Sequence, residues 1–224
     1  AAGSSSRLGG EKPKQYVEIA GKPLLSHTLE SLTEVGPILG IAVGLARDDR
    51  WWHEEFVSSD RFLGTYVGGV SRAETVLRGL EYLEPHVQAE DWVLVHDAAR
   101  PCIRSSDIER LISERGDGLS GALLALPAPD TMKRSNGRDL VEGTISREGL
   151  WCAQTPQLFP YRTLRDALQR SDLATITDDS SAMEAAGYTP RLVPGRSDNL
   201  KVTTREDLEL AALILQARYQ EGEI

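Results

Sequence analysis

A short stretch near the middle of the chain combines a predicted strand with a candidate site at its end: Trp92-Val93-Leu94-Val95-His96-Asp97-Ala98-Ala99-Arg100-Pro101. Four apolar residues typical of a buried strand lead directly into a histidine, an acid, two small residues and an arginine. In open α/β sheets, ligands bind beyond the carboxyl ends of the strands. The stretch therefore predicts a site in which Asp97 accepts a hydroxyl group or faces a metal and Arg100 orients it. A structural Asp–Arg pair is the competing interpretation, and His96 reads as a packed, hydrogen-bonded residue.

On both sides of this stretch, strand-like apolar runs alternate with helical patterns. The alternation is typical of βαβ units and predicts an α/β fold with a mostly parallel sheet flanked by helices. Helices are predicted to begin at Ser71, Ser106 and Thr203, where a serine or threonine stands three residues before a glutamate. The predicted strands cover residues 39–44, 65–67, 92–96, 121–125 and 191–193.

The overall composition is that of an ordinary globular protein. The 224 residues suit one domain over residues 1–224, and 40% of them are hydrophobic. A net charge of −9 argues against a nucleic-acid partner, and the longest apolar runs, such as residues 123–126, are too short to span a membrane. The two cysteines, Cys102 and Cys152, have no metal-type spacing and read as free thiols of a reduced cytosol. These features predict a cytoplasmic protein.

Residues 131–149 break the alternation of strands and helices. This segment is polar and turn-rich, and Ser135-Asn136-Gly137 predicts a hairpin turn between strands at 131–134 and 140–146. Such a hairpin has little core of its own. We therefore expect residues 131–149 to form an arm that packs on a partner subunit.

The start of the chain has the composition of an anion-binding loop. It reads Ala1-Ala2-Gly3-Ser4-Ser5-Ser6-Arg7-Leu8-Gly9-Gly10, and Lys14 follows. Small residues let backbone N–H groups approach an anion closely, and Arg7 and Lys14 would add full charges against a triphosphate. The loop matches neither a P-loop nor GxGxxG. A flexible chain end with solvated basic residues is the competing interpretation.

A second glycine-rich loop reads Gly68-Gly69-Val70-Ser71-Arg72-Ala73-Glu74-Thr75. Its glycines would allow close backbone contact with a planar base, and Thr75, one helical turn from Ser71, could reach the same ligand. An ordinary glycine turn before a helix would look the same. Four further residues read singly as surface or capping residues: Arg147, Thr155, Thr177 and Lys201.

Taken together, these segments resemble the 2-C-methyl-D-erythritol 4-phosphate cytidylyltransferase family from residue 1 to about residue 210. The most specific matches are Pro13-Lys14-Gln15-Tyr16, Val95-His96-Asp97-Ala98-Ala99-Arg100-Pro101, Asp130-Thr131-Met132-Lys133-Arg134, Thr155-Pro156-Gln157 and Asp198-Asn199-Leu200-Lys201-Val202-Thr203.

The resemblance implies a Rossmann-like nucleotidyltransferase fold and a defined reaction. CTP and 2-C-methyl-D-erythritol 4-phosphate would give 4-diphosphocytidyl-2-C-methyl-D-erythritol and pyrophosphate, in the non-mevalonate route to isoprenoid precursors. The attacking phosphate has a second pKa of about 6, so it needs no general base at neutral pH. The resemblance also implies Mg²⁺, held largely by phosphate oxygens and water. It further implies a homodimer in which the arm reaches the partner's active site.

Residue roles follow from the same resemblance. The residues expected to act in catalysis are Arg7, Lys14, Arg147 and Lys201. Those expected to bind methylerythritol phosphate are Asp97, Arg100, Thr131, Thr155 and Thr177. Those expected to bind CTP are Ala1, Ala2, Gly3, Gly69 and Thr75.

The chain departs from the family pattern at two positions. Ser5 stands where the family usually has glycine, and Val70 where it usually has an acid. Two alternatives remain open. One is a cytidylyltransferase for another polyol phosphate, such as ribitol 5-phosphate, because such enzymes resemble this family in fold and first loop. The other is a catalytically inactive nucleotide-binding module, which only Ser5 and Val70 support.

Overall fold

A computed structural model of the chain describes residues 1–2, 12–57, 59–116 and 118–222. Gly3, Ser5 and Arg7 lie outside the described residues. The strands are β1 (Glu18–Ile19), β2 (Lys22–Pro23), β3 (Ile41–Leu45), β4 (Phe62–Val67), β5 (Trp92–Val95), β6 (Ala122–Pro127), β7 (Met132–Ser135), β8 (Val141–Ile145), β9 (Trp151–Pro160) and β10 (Arg191–Pro194). The α-helices are α1 (Leu24–Thr33), α2 (Arg72–Leu83), α3 (Ser105–Glu114), α4 (Tyr161–Arg170), α5 (Asp179–Ala185) and α6 (Arg205–Glu221).

The central sheet has the strand order β10-β6-β9-β5. β10 and β6 are parallel, with Leu192 opposite Leu123, whereas β9 is antiparallel to both β6 and β5. β3 and β4 form a separate parallel pair. The predicted mostly parallel sheet is thus a mixed one in the described residues. The reason is that the chain leaves β6, makes the hairpin of β7 and β8, and returns alongside β6 in the opposite direction.

Helices cover both faces of the sheet, as predicted, because alternate side chains of each strand point to opposite faces. On β9, Leu158 packs in one core with apolar residues of α1 and α3. Its neighbour Phe159 packs in another core with α2, α4 and α5. The helix α6 contributes Ala211 and Leu215 to a third buried apolar cluster.

The helix starts agree with the capping signals in part. Ser71 caps α2, and its hydroxyl accepts a hydrogen bond from the Glu74 N–H at 3.1 Å. The helix α6 is capped by Thr204 rather than Thr203, in a reciprocal box with Asp207. The helix α3 begins one residue before the predicted Ser106 and has no side-chain cap.

A cleft of about 1030 Å³ lies between β3 and β5. Apolar side chains such as Leu29, Val43 and Leu94 line much of it. Its lining also includes the polar residues Lys14, Ser71, Arg72, Asp97 and Lys201, together with Gly69 of the second glycine loop. The cleft therefore brings together residues from most of the motifs found in the sequence.

The predicted arm is an antiparallel hairpin of β7 and β8, with Lys133 opposite Thr144. The Asn136 N–H donates to the Leu140 carbonyl at 3.2 Å and closes the turn. Both strands lie within a residue of their predicted bounds. Met132, Leu140 and Val141 leave large apolar side chains exposed on this hairpin.

No helix in the described part of the chain combines the length and apolar character that crossing a membrane requires.

Candidate active site

Asp97 is held between two cations at the end of β5. Its Oδ1 lies 3.2 Å from Nε of Arg72, and its Oδ2 lies 2.7 Å from Nζ of Lys201. Burial by itself would raise the pKa of Asp97, but Arg72 and Lys201 together hold the pKa well below its usual value. Asp97 is therefore a carboxylate at neutral pH, and its charge is balanced within the site.

Arg100 does not contact the Asp97 carboxylate, which the sequence predicts it to orient. Its side chain is buried, and Nη1 donates to the carbonyl of Asn199 at 2.7 Å, while Arg72 and Lys201 contact the Asp97 carboxylate. Only the backbone joins Arg100 to Asp97, through an N–H donated to the Asp97 carbonyl at 3.0 Å. The turn at the strand end brings the two residues together but points their charged groups at different partners.

Thr155 of β9 fixes the backbone at the end of β5. Its hydroxyl accepts the Asp97 N–H at 3.0 Å and also lies 3.0 Å from Nδ1 of His96. Nε2 of His96 faces the Arg100 carbonyl at 3.3 Å, and a carbonyl can only accept, so the proton resides on Nε2. Nδ1 then accepts from the Thr155 hydroxyl. Burial lowers the pKa of His96 to about 4, so the ring is neutral at pH 7.

The segment from Asp198 to Thr203 ties the site together. The Asn199 side-chain amide donates to the Thr155 carbonyl at 2.9 Å, and the Val202 N–H donates to the Ala99 carbonyl at 2.8 Å. Nζ of Lys14 donates to the Val202 carbonyl at 3.0 Å. Lys14, from the start of the chain, thus contacts the segment that contains Lys201, and Nζ of Lys201 in turn contacts Asp97.

The second glycine loop forms another wall of the cleft. A side chain at Gly68 would place its Cβ 2.5 Å from Cβ of Ala2, so glycine lets the start of the chain approach the loop. The Gly69 N–H donates to the Thr75 hydroxyl at 3.0 Å, and that hydroxyl donates to the Ser71 carbonyl at 2.9 Å. Ala1, Ala2, Gly69 and Thr75, which were expected to bind CTP, all line the cleft. The polar groups of Gly69 and Thr75, however, bond to each other within the loop.

Three predicted site residues lie elsewhere on the described chain. Thr131 and Arg147 are exposed at the base of the arm and do not line the cleft, and the Arg147 guanidinium donates to the Pro129 carbonyl. Thr177 is exposed just before α5, where its N–H donates to the Ser181 hydroxyl at 3.2 Å. One subunit therefore brings together Lys14, Asp97, Arg100, Thr155 and Lys201, but not these three.

Arg72 is a site residue that the sequence patterns do not predict. Its Nη2 lies 2.8 Å from Oδ2 of Asp179, in addition to the contact of its Nε with Asp97. These partners are 107 and 25 residues away. The sequence offered only an arginine beside a glycine loop, and no local pattern links it to either acid.

Cationic and anionic groups of this kind suit a ligand that carries both phosphates and hydroxyls. Lys14, Arg72 and Lys201 supply positive charge, and Asp97 can accept hydrogen bonds from hydroxyl groups. No group of three or more His, Cys, Asp or Glu side chains within residues 1–2, 12–57, 59–116 and 118–222 is placed to hold a metal ion.

Comparison with known proteins agrees with this chemistry. A family model described as 2-C-methyl-D-erythritol 4-phosphate cytidylyltransferase matches residues 1–217. A protein of that name from Aeromonas hydrophila is 49% identical over 218 residues, covering 96% of this chain and 87% of that protein.

Solved structures of similarly named proteins match the fold. A crystal structure of 4-diphosphocytidyl-2C-methyl-D-erythritol synthase has a TM-score of 0.83 at 36% identity, covering 90% of this chain and 94% of that chain. The Francisella tularensis 2-C-methyl-D-erythritol 4-phosphate cytidylyltransferase has a TM-score of 0.79 at 30% identity, covering 93% of this chain and 96% of that chain. On these matches, the chain belongs to the 2-C-methyl-D-erythritol 4-phosphate cytidylyltransferase family.

Proposed function

We propose that this chain transfers the cytidylyl group of CTP to 2-C-methyl-D-erythritol 4-phosphate and releases pyrophosphate. The observation that carries the proposal is the family match over residues 1–217. The cluster of Lys14, Arg72, Asp97 and Lys201 in one cleft supports it, because the two substrates together present several phosphates and a polyol.

Pyrophosphate release from CTP, measured separately with methylerythritol phosphate and with ribitol 5-phosphate, tests this function. We expect turnover with the first substrate and little with the second. Preference for ribitol 5-phosphate would instead support the rival polyol-phosphate enzyme. Nucleotide binding without pyrophosphate release from either substrate would support the inactive binding module.

The reaction requires no proton abstraction. An oxygen of the dianionic phosphate of methylerythritol phosphate bonds to the α-phosphorus of CTP, and the bond from that phosphorus to the oxygen of the departing pyrophosphate breaks. The main barrier is the repulsion between two anions and the charge that grows on pyrophosphate. A neutral His96 bonded to Thr155 and Arg100 is consistent with a mechanism without a general base.

In this mechanism, the basic residues supply charge neutralisation. We assign Lys14, together with Arg7, to the triphosphate of CTP, and Lys201 to the attacking phosphate. Lys201 already contacts the Asp97 carboxylate at 2.7 Å, so a hydroxyl bound by Asp97 and a phosphate bound by Lys201 would be close neighbours. We assign Arg100 and Thr155 to the same polyol-phosphate side, where they act through the backbone that they hold. Thr177 lies outside the cleft, and its assignment to this side rests on the family resemblance alone.

Mg²⁺ is the cofactor that we propose for CTP. Both oxygens of Asp97 already face cations, at 3.2 and 2.7 Å, so we assign this carboxylate to a hydroxyl group rather than to the metal ion. A magnesium ion would depend on the phosphate oxygens of the nucleotide and on water. We expect chelation of divalent ions to abolish turnover but to leave the melting temperature of nucleotide-free protein unchanged, and a large fall in that temperature would contradict this assignment.

We further propose a cytoplasmic homodimer that completes the site through residues 131–149. Thr131 and Arg147 are exposed at the base of the arm and outside the cleft of their own subunit. The hairpin also exposes Met132, Leu140 and Val141, whose apolar side chains would gain from burial against a second copy. These observations support a role for Arg147 and Thr131 in the partner's site.

A further inference from the structure

Arg72 connects three parts of the molecule. It is the first residue of α2, directly after the glycine loop, and it contacts Asp97 at the end of β5 and Asp179 at the start of α5. A guanidinium is planar and presents its donors in a rigid fork, so it can hold two carboxylates in a fixed relation. The contact from Nη2 to Asp179 and the contact from Nε to Asp97 use different parts of that fork.

Asp179 anchors the arginine. Its side chain is 0% exposed, and burial raises its pKa, an effect that Arg72 opposes. A buried carboxylate is costly unless it is paired, so the Arg72–Asp179 contact is strongly favoured over separation. The contact with Asp179 therefore fixes the orientation of the Arg72 guanidinium, independently of any ligand.

The anchored guanidinium in turn constrains Asp97. Nε of Arg72 contacts Oδ1, which leaves Oδ2 facing Lys201. The backbone of Asp97 is held separately by Thr155. Rotation of the carboxylate would break the contact with Arg72 or the contact with Lys201, so its plane is determined by the protein.

We propose that Arg72 is a positioning residue for the polyol phosphate: anchored by Asp179, it orients the Asp97 carboxylate and, through it, Lys201. This inference rests on the proposed function, because it concerns the binding of methylerythritol phosphate. It adds Arg72 and Asp179 to the residues on which the site depends. Under this proposal, Arg72 and Asp179 affect the binding of methylerythritol phosphate and not that of CTP, although Arg72 directly follows the glycine loop.

The test is a double-mutant cycle on the full chain, with kcat and KM measured for both substrates. The variants are Arg72→Met, Asp97→Asn and the double variant, with Arg72→Lys and Asp179→Asn alongside. We expect Arg72→Met to lower kcat/KM for methylerythritol phosphate by about 100-fold, since small misplacements of binding groups cost this much. The KM for CTP should change by less than about threefold, as expected when an interaction with only one substrate is lost.

Coupling between the two residues distinguishes positioning from a merely structural role. If Arg72 acts through Asp97, Arg72→Met should cost less than about threefold further activity in the Asp97→Asn background. Arg72→Lys keeps the charge but loses the fork, so it should fall between wild type and Arg72→Met. If Arg72→Met does not fold, Arg72→Lys replaces it in the cycle, with the same expectation of non-additivity.

Arg110 provides a matched control. It pairs with the buried Asp107 at 2.6 Å, with side-chain exposures of 35% and 1% against 29% and 0% for Arg72 and Asp179. It does not line the cleft. Arg110→Met should lower the melting temperature without changing kcat/KM for either substrate.

Several outcomes would overturn the inference. In the first, the losses of kcat/KM from Arg72→Met and Asp97→Asn multiply in the double variant. In the second, Arg72→Met lowers kcat/KM equally for both substrates. In the third, the Arg72→Met variant is as active as Arg110→Met. Wild-type turnover is measured first. Its absence would refute the proposed function and this inference with it, whereas normal wild-type turnover with a fully active Arg72→Met variant refutes only the role of Arg72.

Discussion

At the scale of single residues, the candidate site places fixed charges beside one another. Lys201 belongs to the segment from Asp198 to Thr203, and Lys14 reaches the same segment from the start of the chain by donating to the Val202 carbonyl at 3.0 Å. Asp97 offsets part of this positive charge where a hydroxyl is expected to bind. The arrangement is set by the protein before substrate arrives, which is the condition under which electrostatic stabilisation is most effective.

Lys14→Ala is expected to lower turnover much more than stability. We assign Lys14 to the triphosphate, where loss of one charge-assisted contact should cost about 2–4 kcal/mol of transition-state stabilisation. Steady-state pyrophosphate release and thermal unfolding measure the two effects separately. A folded Lys14→Ala variant with nearly normal turnover would remove Lys14 from the catalytic set.

His96 should make the stability of the fold depend on pH. Burial lowers its pKa from 6.5 to about 4, so the folded state keeps the ring neutral while the unfolded chain takes up a proton. The stabilisation is therefore fully present above pH 6.5 and is lost as the pH falls toward 4. This difference corresponds to at most about 3 kcal/mol.

The measurement is the free energy of unfolding between pH 7.5 and pH 4 for wild type and His96→Gln. The wild-type protein should lose stability more steeply over this range. Parallel curves for the two proteins would show that His96 does not titrate as its buried position implies.

At the scale of the elements, β9 connects the candidate site to the central sheet, because its Thr155 contacts the backbone of Asp97. It lies between β6 and β5, and several of its buried side chains are polar. Their hydrogen-bonding groups are satisfied by other elements: the Gln157 amide donates to Asp178 and accepts from the Ser180 N–H, each at 2.8 Å. A polar strand is stable in a core only with such partners.

Thr155→Val tests the contacts of the Thr155 hydroxyl with Asp97 and His96 at the end of β5. The change keeps the shape but leaves the Asp97 N–H and Nδ1 of His96 without their partner, which should cost about 1–3 kcal/mol of stability. Thr155→Ser keeps the hydroxyl and should remain close to wild type. Chemical denaturation measures both variants, and equal stability for valine and serine would show that the two hydrogen bonds contribute little.

The same contacts explain why sequence analysis did not identify β9. Prolines at 156 and 160 and a polar run at 154–157 argue against a central strand when they are read locally. The strands rich in aliphatic residues were found, and β5, β6 and β10 lie close to their predicted bounds. Aliphatic runs are recognisable because burial is their main source of stability, whereas β9 depends on partners that are distant in the sequence.

At the scale of the whole molecule, our proposal is that the arm lets two chains share each site. The described residues place Arg147 outside the cleft of its own subunit. Under the shared-site proposal, the arginine serves the cleft of the neighbouring copy, where its planar fork suits a phosphate.

Mixing two inactive variants tests the shared site. Arg147→Ala and Lys14→Ala are combined and allowed to exchange subunits. If Arg147 acts in the partner, each heterodimer has one site with both lesions and one with neither, so a substantial part of the activity should return. If each site uses its own Arg147, every site carries a lesion, and activity stays low after exchange has been demonstrated.

The α/β class, the hairpin arm and the family of the chain could all be predicted from the sequence. These properties are encoded in local patterns: apolar runs, turn residues and short motifs such as the stretch from Val95 to Pro101. The groups that surround Asp97 became known only from the three-dimensional structure. It placed Arg72 and Lys201 on the carboxylate, turned Arg100 toward Asn199 and set β9 antiparallel within the sheet. Such contacts join residues far apart in the chain, and ion pairs depend on distances and burial that no local pattern records.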